Sequence, residues 1–300
     1  MTTKTDEITR EYFDSMLISP RYLDGDLPSL GMELWGKKFE TPIMTAALSH
    51  LHNTCENGMC EFARGAKNAG AVHFVGMCED DELEEILATG AETVKIIKPH
   101  MDDEVIFGKI ERAAKGGAFA VGMDIDHAIS HKGEYDDVFG LPMRPKTTAQ
   151  LAEYVKAASS VDTTGIPFVV KGVLSAKDAE KSVEAGAAAV LVSHHHGIMD
   201  CMTPPLMMLP EIVEAVNGQA KIFVDCGIES GMDVFKALAL GADAVCVGRA
   251  LMGPLAEGAK GVTEKIKQMN SELKVVMART GARNIKEIDK SVINFRVFGD

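Results

Sequence analysis

Eight short apolar runs alternating with helix-patterned segments predict an α/β fold, a (β/α)₈ barrel of the TIM type with an N-terminal arm and a long loop after the fourth strand. Three observations carry this expectation. The runs are nearly continuous in apolar residues, as strands buried on both faces require. Glycine–alanine pairs (Gly70-Ala71, Gly90-Ala91, Gly117-Ala118, Gly186-Ala187 and Gly241-Ala242) each stand just before a run, where a helix ends on a left-handed residue. Polar residues close several of the runs, and in parallel barrels that carboxyl end is where sites are built.

In chain order, residues 1–40 are polar and irregular and read as an arm packed on the body, with a helical pattern over 8–16 and turn signals at Ser19-Pro20, Gly25 and Pro28. Residues 41–300 read as one barrel domain. Its strands are expected at 42–48, 71–77, 92–98, 119–125, 167–173, 188–194, 221–227 and 243–249, and helices at 56–68, 80–88, 102–115, 147–158, 176–184, 205–216 and 232–240. The longest interruption, DHAISHKGEYDDVFGLPMRPK over 126–146, has the length of a lid or substrate clamp.

The net charge of −13 leaves no basic stripe to follow a phosphate backbone, so nucleic acid is not an expected partner. No apolar run approaches the roughly 20 residues of a membrane span, and the start MTTKTDEITREYF has no export or transit character, so a cytoplasmic protein is expected. The scattered cysteines then read as reduced thiols. Cys55 and Cys60, near His50 and His52, lack the Cys-x-x-Cys spacing of structural zinc, and no metal is expected.

The chemistry concentrates at the strand ends. Lys171 ends the fifth run, and Ser193, His194, His195 and His196 end the sixth. Asp124, Asp126 and His127 close the fourth and could orient a histidine acting as base, a task suited to its near-neutral pKa. The seventh and eighth runs end in VDCGIESG and CVGRALMG, where Gly227, Gly248 and Arg249 are natural phosphate donors and Asp225 could hold ribityl or ribose hydroxyls. Lys171, on the opposite wall, could neutralise a reduced flavin ring.

At these residues the sequence resembles the FMN-dependent α-hydroxy-acid oxidases and dehydrogenases, the glycolate oxidase and flavin lactate dehydrogenase family. The likeness runs from about Tyr12 to Asp289 and is strongest in FVVKGVLSAKDAEKSVEAGAAAVLVSHH, VDCGIESGMDVFKALALGADAVCVGR and ELKVVMARTGARNIKEID. It implies an FMN-binding barrel in which His195 is catalytic, Lys171 faces the flavin, Ser193 stands beside it, Gly227, Gly248 and Arg249 meet the phosphate, and Ala46 and Ala47 give backbone contacts. It also implies a homo-oligomer, a tetramer or octamer, acting on a small molecule.

The departures bear on the substrate. The family loop reads Ser-Asn-His-Gly-Gly-Arg-Gln-Leu-Asp; here SHHHGIMD is one residue shorter and lacks the arginine that grips a carboxylate. A second such arginine is missing after the fourth strand, a tyrosine becomes Lys98, a phosphate arginine becomes Glu229, and flavin-ring partners fall near Ile96 and Gly122. A desolvated carboxylate needs a cationic or equivalent donor cluster. Lys98, His127, Lys132, His194 and His196 are the candidates, and the expected reaction is His-assisted hydride transfer to FMN from a non-standard substrate. Two other readings stay open: an FMN-barrel isomerase or NAD(P)H-dependent reductase resembling type 2 isopentenyl diphosphate isomerase, and a flavin-free metal enzyme or binding protein built on the histidine cluster.

Overall fold

The computed structural model describes residues 3–161 and 165–296. Eight parallel strands form the central sheet: β1 (Ile43–Thr45), β2 (His73–Val75), β3 (Thr93–Ile97), β4 (Ala120–Asp124), β5 (Phe168–Val173), β6 (Ala189–Val192), β7 (Lys221–Val224) and β8 (Ala244–Val247). They pair in sequence from β2 round to β8, and β8 pairs with β1. A parallel bridge between Leu48 and Val75, and the bond from Thr45 N to Val72 O, span the seam between β1 and β2. The barrel is the expected one.

Alternation along each strand builds two cores. Met44, Phe74, Ile96, Val169, Leu191 and Phe223 fill the inside of the barrel. Val75, Ile97, Val121, Val170, Val190 and Val224 face the surrounding helices. Because both faces are buried, the strands read as unbroken apolar runs. The same alternation sends Lys98, Asp124 and Lys171 inward at the carboxyl end, one step beyond the apolar layers.

The arm is more ordered than its composition suggests. Met32–Leu34 and Lys37–Phe39 form a hairpin through a turn in which Trp35 and Gly36 are left-handed (φ 47° and 80°). The Trp35 ring lies 5.3 Å from Phe119 and 6.1 Å from Phe223, so the hairpin stoppers the amino end of the barrel. Helix α1 (Lys4–Ser15) begins earlier than the 8–16 pattern indicated, because Thr3 and Asp6 form a reciprocal capping box. The helix continues into Met16–Ile18, which pairs antiparallel with Ile293–Phe295. Two helices after β8, Arg249–Leu255 and Gly258–Thr280, were not among those expected; the second packs on Gly58–Asn68 and Gly231–Ala239. It comes close enough that a Cβ at Gly65 would strike Val262.

Candidate active site at the carboxyl ends of the strands

The centre of the mouth is a buried carboxylate between two ammonium groups. Asp124 accepts from Lys171 Nζ at one oxygen and from Lys98 Nζ at the other, each at 2.8 Å. All three are buried. Burial alone would raise the Asp124 pKa, but Lys171, Lys98 and His195 outweigh it and hold the carboxyl well below its usual range. Burial likewise works against the charge of Lys171, yet Asp124, Asp225 and Asp126 raise its pKa above the ordinary lysine value. Lys98 therefore enters the site as Asp124's ion-pair partner.

His195 stands over this cluster. Its Nδ1 lies 3.3 Å from Asp126 Oδ1, 3.3 Å from Lys171 Nζ and 3.8 Å from Asp124 Oδ1. Two carboxylates facing Nδ1 favour a proton there, which leaves Nε2 as the basic nitrogen. Among the described residues Nε2 takes no hydrogen bond. Two features fix the approach. His195, His196 and Gly197 are all left-handed (φ 49°, 60° and 70°), so the loop turns sharply after Ser193, whose Oγ accepts from His195 N at 3.1 Å. Gly172, at φ 88° in the irregularity of β5, leaves the space in which the Asp126 carboxylate sits. His127 packs edge-on against His195 at 4.8 Å and pairs with Asp136 at 3.1 Å, and burial lowers its pKa.

Asp124, Asp126 and His195 offer ligand atoms within 4.8 Å of one another. Lys98 and Lys171 already neutralise the buried member of that trio.

The three histidines separate. His194 is fully buried: Gly197 N donates to its Nδ1 at 3.2 Å, so Nε2 is the protonated nitrogen facing Thr9 Oγ1 at 2.9 Å. Both ring nitrogens of His194, a residue expected to meet the substrate, are thus engaged beneath α1. His196, also expected to meet the substrate, stands beside the residues that follow β7 and β8. It lines a cavity of about 30 Å³ with Ala46, Asp225, Gly227, Gly248 and Arg249, its Nδ1 is buried without a partner, and burial, then Arg249, push its pKa down to about 4. Ala47 packs against the inner core.

The small cavity at the ends of β7 and β8 is covered by α1. Arg249 donates to both oxygens of Asp6, at 2.9 and 2.6 Å, and Arg10 donates to Asp233 and to Gly227 O. Burial would raise the Asp6 pKa, but the bonds from Arg249 and Thr3 bring it down to about 2. Asp6 and Thr9 are site residues that the sequence did not single out. The helical pattern over 8–16 signalled α1, and the Thr3–Asp6 capping box is the local signal for its earlier start.

Beside Lys98 opens a cavity of about 550 Å³, lined among others by His50, His52, Cys78, His100 and Phe139 at the tip of the long loop. His100 is buried with an unpartnered Nδ1, and burial lowers its pKa to about 4. A larger cavity, about 750 Å³, lies at the other end of the barrel beside the hairpin, far from these polar groups. Among the described residues no helix is long and apolar enough to cross a membrane.

Comparison with known proteins places relatives on this frame. The profile of FMN-dependent dehydrogenases matches residues 1–163 and 152–295. The L-lactate oxidase of Lactobacillus jensenii is 30% identical over 92% of this chain and 74% of its own length. The glycolate oxidase of Spinacia oleracea is 31% identical over 95% of this chain and 86% of its own. The solved structure of a mandelate oxidase variant with a monooxide FMN adduct superposes with a TM-score of 0.87 at 28% identity, covering 99% of this chain and 93% of that one.

Proposed function

Because the chain belongs to the FMN-dependent α-hydroxy-acid oxidase family and is an FMN-dependent oxidoreductase, we propose that it oxidises a small α-hydroxy acid bulkier than lactate or glycolate, with His195 as base. FMN, when bound, supplies the two-electron acceptor that takes the hydride from the hydroxyl-bearing carbon.

The residues at the mouth suit that cofactor. Lys171 offers a buried ammonium for the ring, and the unpartnered Nδ1 of His196, the backbone of Gly227 and Gly248, and Arg249 surround a small cavity at the phosphate end. Ser193, Ala46, Ala47 and Asp225 complete the set in this reading.

The proton side rests on this chain's own groups. His195 Nε2 accepts the hydroxyl proton while Asp126 and Asp124 stabilise the imidazolium through Nδ1. The observation that carries the reading is this single ring nitrogen left open above a charge-compensated floor. For the substrate, the cavity of about 550 Å³ beside Lys98 falls within the range of about 300–1,000 Å³ typical of small-molecule sites. In this reading the acid group is met by Lys98, which lines that cavity, and by His127 beside His195. An assembly of several copies is part of the same reading, and light scattering tests it.

The experiment is anaerobic reduction of the bound flavin by lactate, glycolate, mandelate and bulkier α-hydroxy acids, followed by absorbance. His195→Ala should keep the flavin spectrum and slow its reduction by about 10²–10⁴-fold. Reduction at the wild-type rate would refute the assignment, and flavin that bleaches only with NADPH would favour a reductase or isomerase on the same barrel.

A further inference from the structure

The cavity at the phosphate end holds one permanently cationic side chain among its described lining residues, Arg249, and that cation is already engaged. Its two Nη groups each donate to a different oxygen of Asp6, the fork-on-fork arrangement by which arginine also grips a phosphate. The pairing is enclosed on one side only: the Asp6 side chain is 7% exposed and that of Arg249 45%. Asp6 is further held by Thr3 N at 3.2 Å, and α1 is pinned by Thr9 on His194 and by Arg10 on Asp233. The rest of the lining adds no compensating charge. Glu229 and Asp225 are acidic, and His196, with its pKa near 4, is neutral at physiological pH. A phosphate dianion entering this cavity meets three carboxylates and a single guanidinium whose fork is filled.

We propose that Asp6 is an internal competitor for the cofactor's phosphate: its carboxylate occupies the donors of Arg249 that FMN would use, and thereby decides how strongly the mouth prefers FMN over unphosphorylated flavin. The inference rests on the flavin reading above. Since FMN and riboflavin share the ring and ribityl chain, only the phosphate feels Asp6. In the native chain the cost of displacing Asp6 is set against the phosphate's gain, and the preference for FMN is small. With the carboxylate removed, the whole guanidinium fork is available. Because the Asp6 pKa lies near 2, ordinary changes of pH do not release it.

The test is titration of the full-length, flavin-stripped chain with FMN and with riboflavin, read by quenching of flavin fluorescence, for the wild type, Asp6→Asn, Arg249→Ala and the double variant. Asparagine keeps the shape and the acceptor for Thr3. Asp6→Asn should tighten FMN by about ten- to a hundredfold, the worth of one charge-assisted bond, and leave riboflavin within about twofold. In the Arg249→Ala background the Asp6→Asn gain should vanish. Asp6→Leu serves as a second variant if Asp6→Asn folds poorly. FMN affinity unchanged by loss of the carboxylate, or both flavins shifting alike, would overturn the inference while leaving the flavin reading intact. Failure of every variant to bind either flavin would overturn both.

Discussion

The buried cluster at the centre of the mouth gives the sharpest energetic expectation. Asp124→Asn keeps the shape of the side chain and removes the charge that holds two ammonium groups, Lys98 at 7% exposure and Lys171 at 4%. Each contact is 2.8 Å long, a gross attraction of about 6 kcal/mol at an effective dielectric near 20, most of it offset by desolvation. Removing one partner of such a buried pair has a net cost of about 3–5 kcal/mol. A chain of 300 residues unfolds with an entropy of about 0.6 kcal/mol/K, so the midpoint should fall by about 5–8 °C. Thermal unfolding of the flavin-free protein at pH 7, followed by circular dichroism, measures it. The folded-state pKa of Asp124 is depressed, so its contribution is present above the ordinary carboxylate pKa and lost only in strong acid; the gap to the variant should stay constant from pH 6 to 8. Replacing Lys98 with methionine alongside Asp124→Asn should recover more than half of the loss. A fall under about 2 °C, or no recovery in the double variant, would refute the charge reasoning.

Other outcomes follow from single contacts. His73 is buried with its pKa lowered to about 3, so it is neutral in the fold and takes up a proton on unfolding below its ordinary value of 6.5. Stability is therefore intact above that pH and lost as pH falls toward 3, and His73→Phe should remove about 3 kcal/mol of the decline between pH 6.5 and 4 in urea titrations. Gly172→Ala places a Cβ at φ 88° and against the Asp126 carboxylate, so it should cost about 1–3 kcal/mol and slow flavin reduction; an unchanged rate would detach Asp126 from His195. Phe13→Ala empties a fully buried site under α1 and should cost about 3–5 kcal/mol in urea unfolding.

The barrel was legible because both strand faces are buried, which writes each strand as an unbroken apolar run, and because glycine marks where helices must turn. Lys171, Asp124 and His195 were legible as polar residues at the ends of such runs. What escaped has two causes. The hairpin at Trp35-Gly36 has strands of three residues, too short to show a period, and its turn uses a tryptophan at positive φ where sequence statistics favour asparagine, aspartate or glycine. The commitments of α1 are long-range: nothing near Asp6 announces Arg249, and nothing near Thr9 announces His194. The histidine run misled for a related reason. On an extended chain its members would alternate sides, whereas left-handed residues at His195 and His196 turn them toward three separate neighbourhoods.

The antiparallel pair between Met16–Ile18 and Ile293–Phe295 ties α1 to nearly the last described residues of the chain. During synthesis the first helix emerges long before its partner strand, Arg249 or His194 exists, and the eight strands must assemble beneath it. Contacts between residues so far apart in sequence carry the largest loop-closure cost, so the docking of α1 over the mouth is expected late in folding. Residues far from the mouth in sequence, at both ends of that pair, thereby bear on how firmly the mouth is covered.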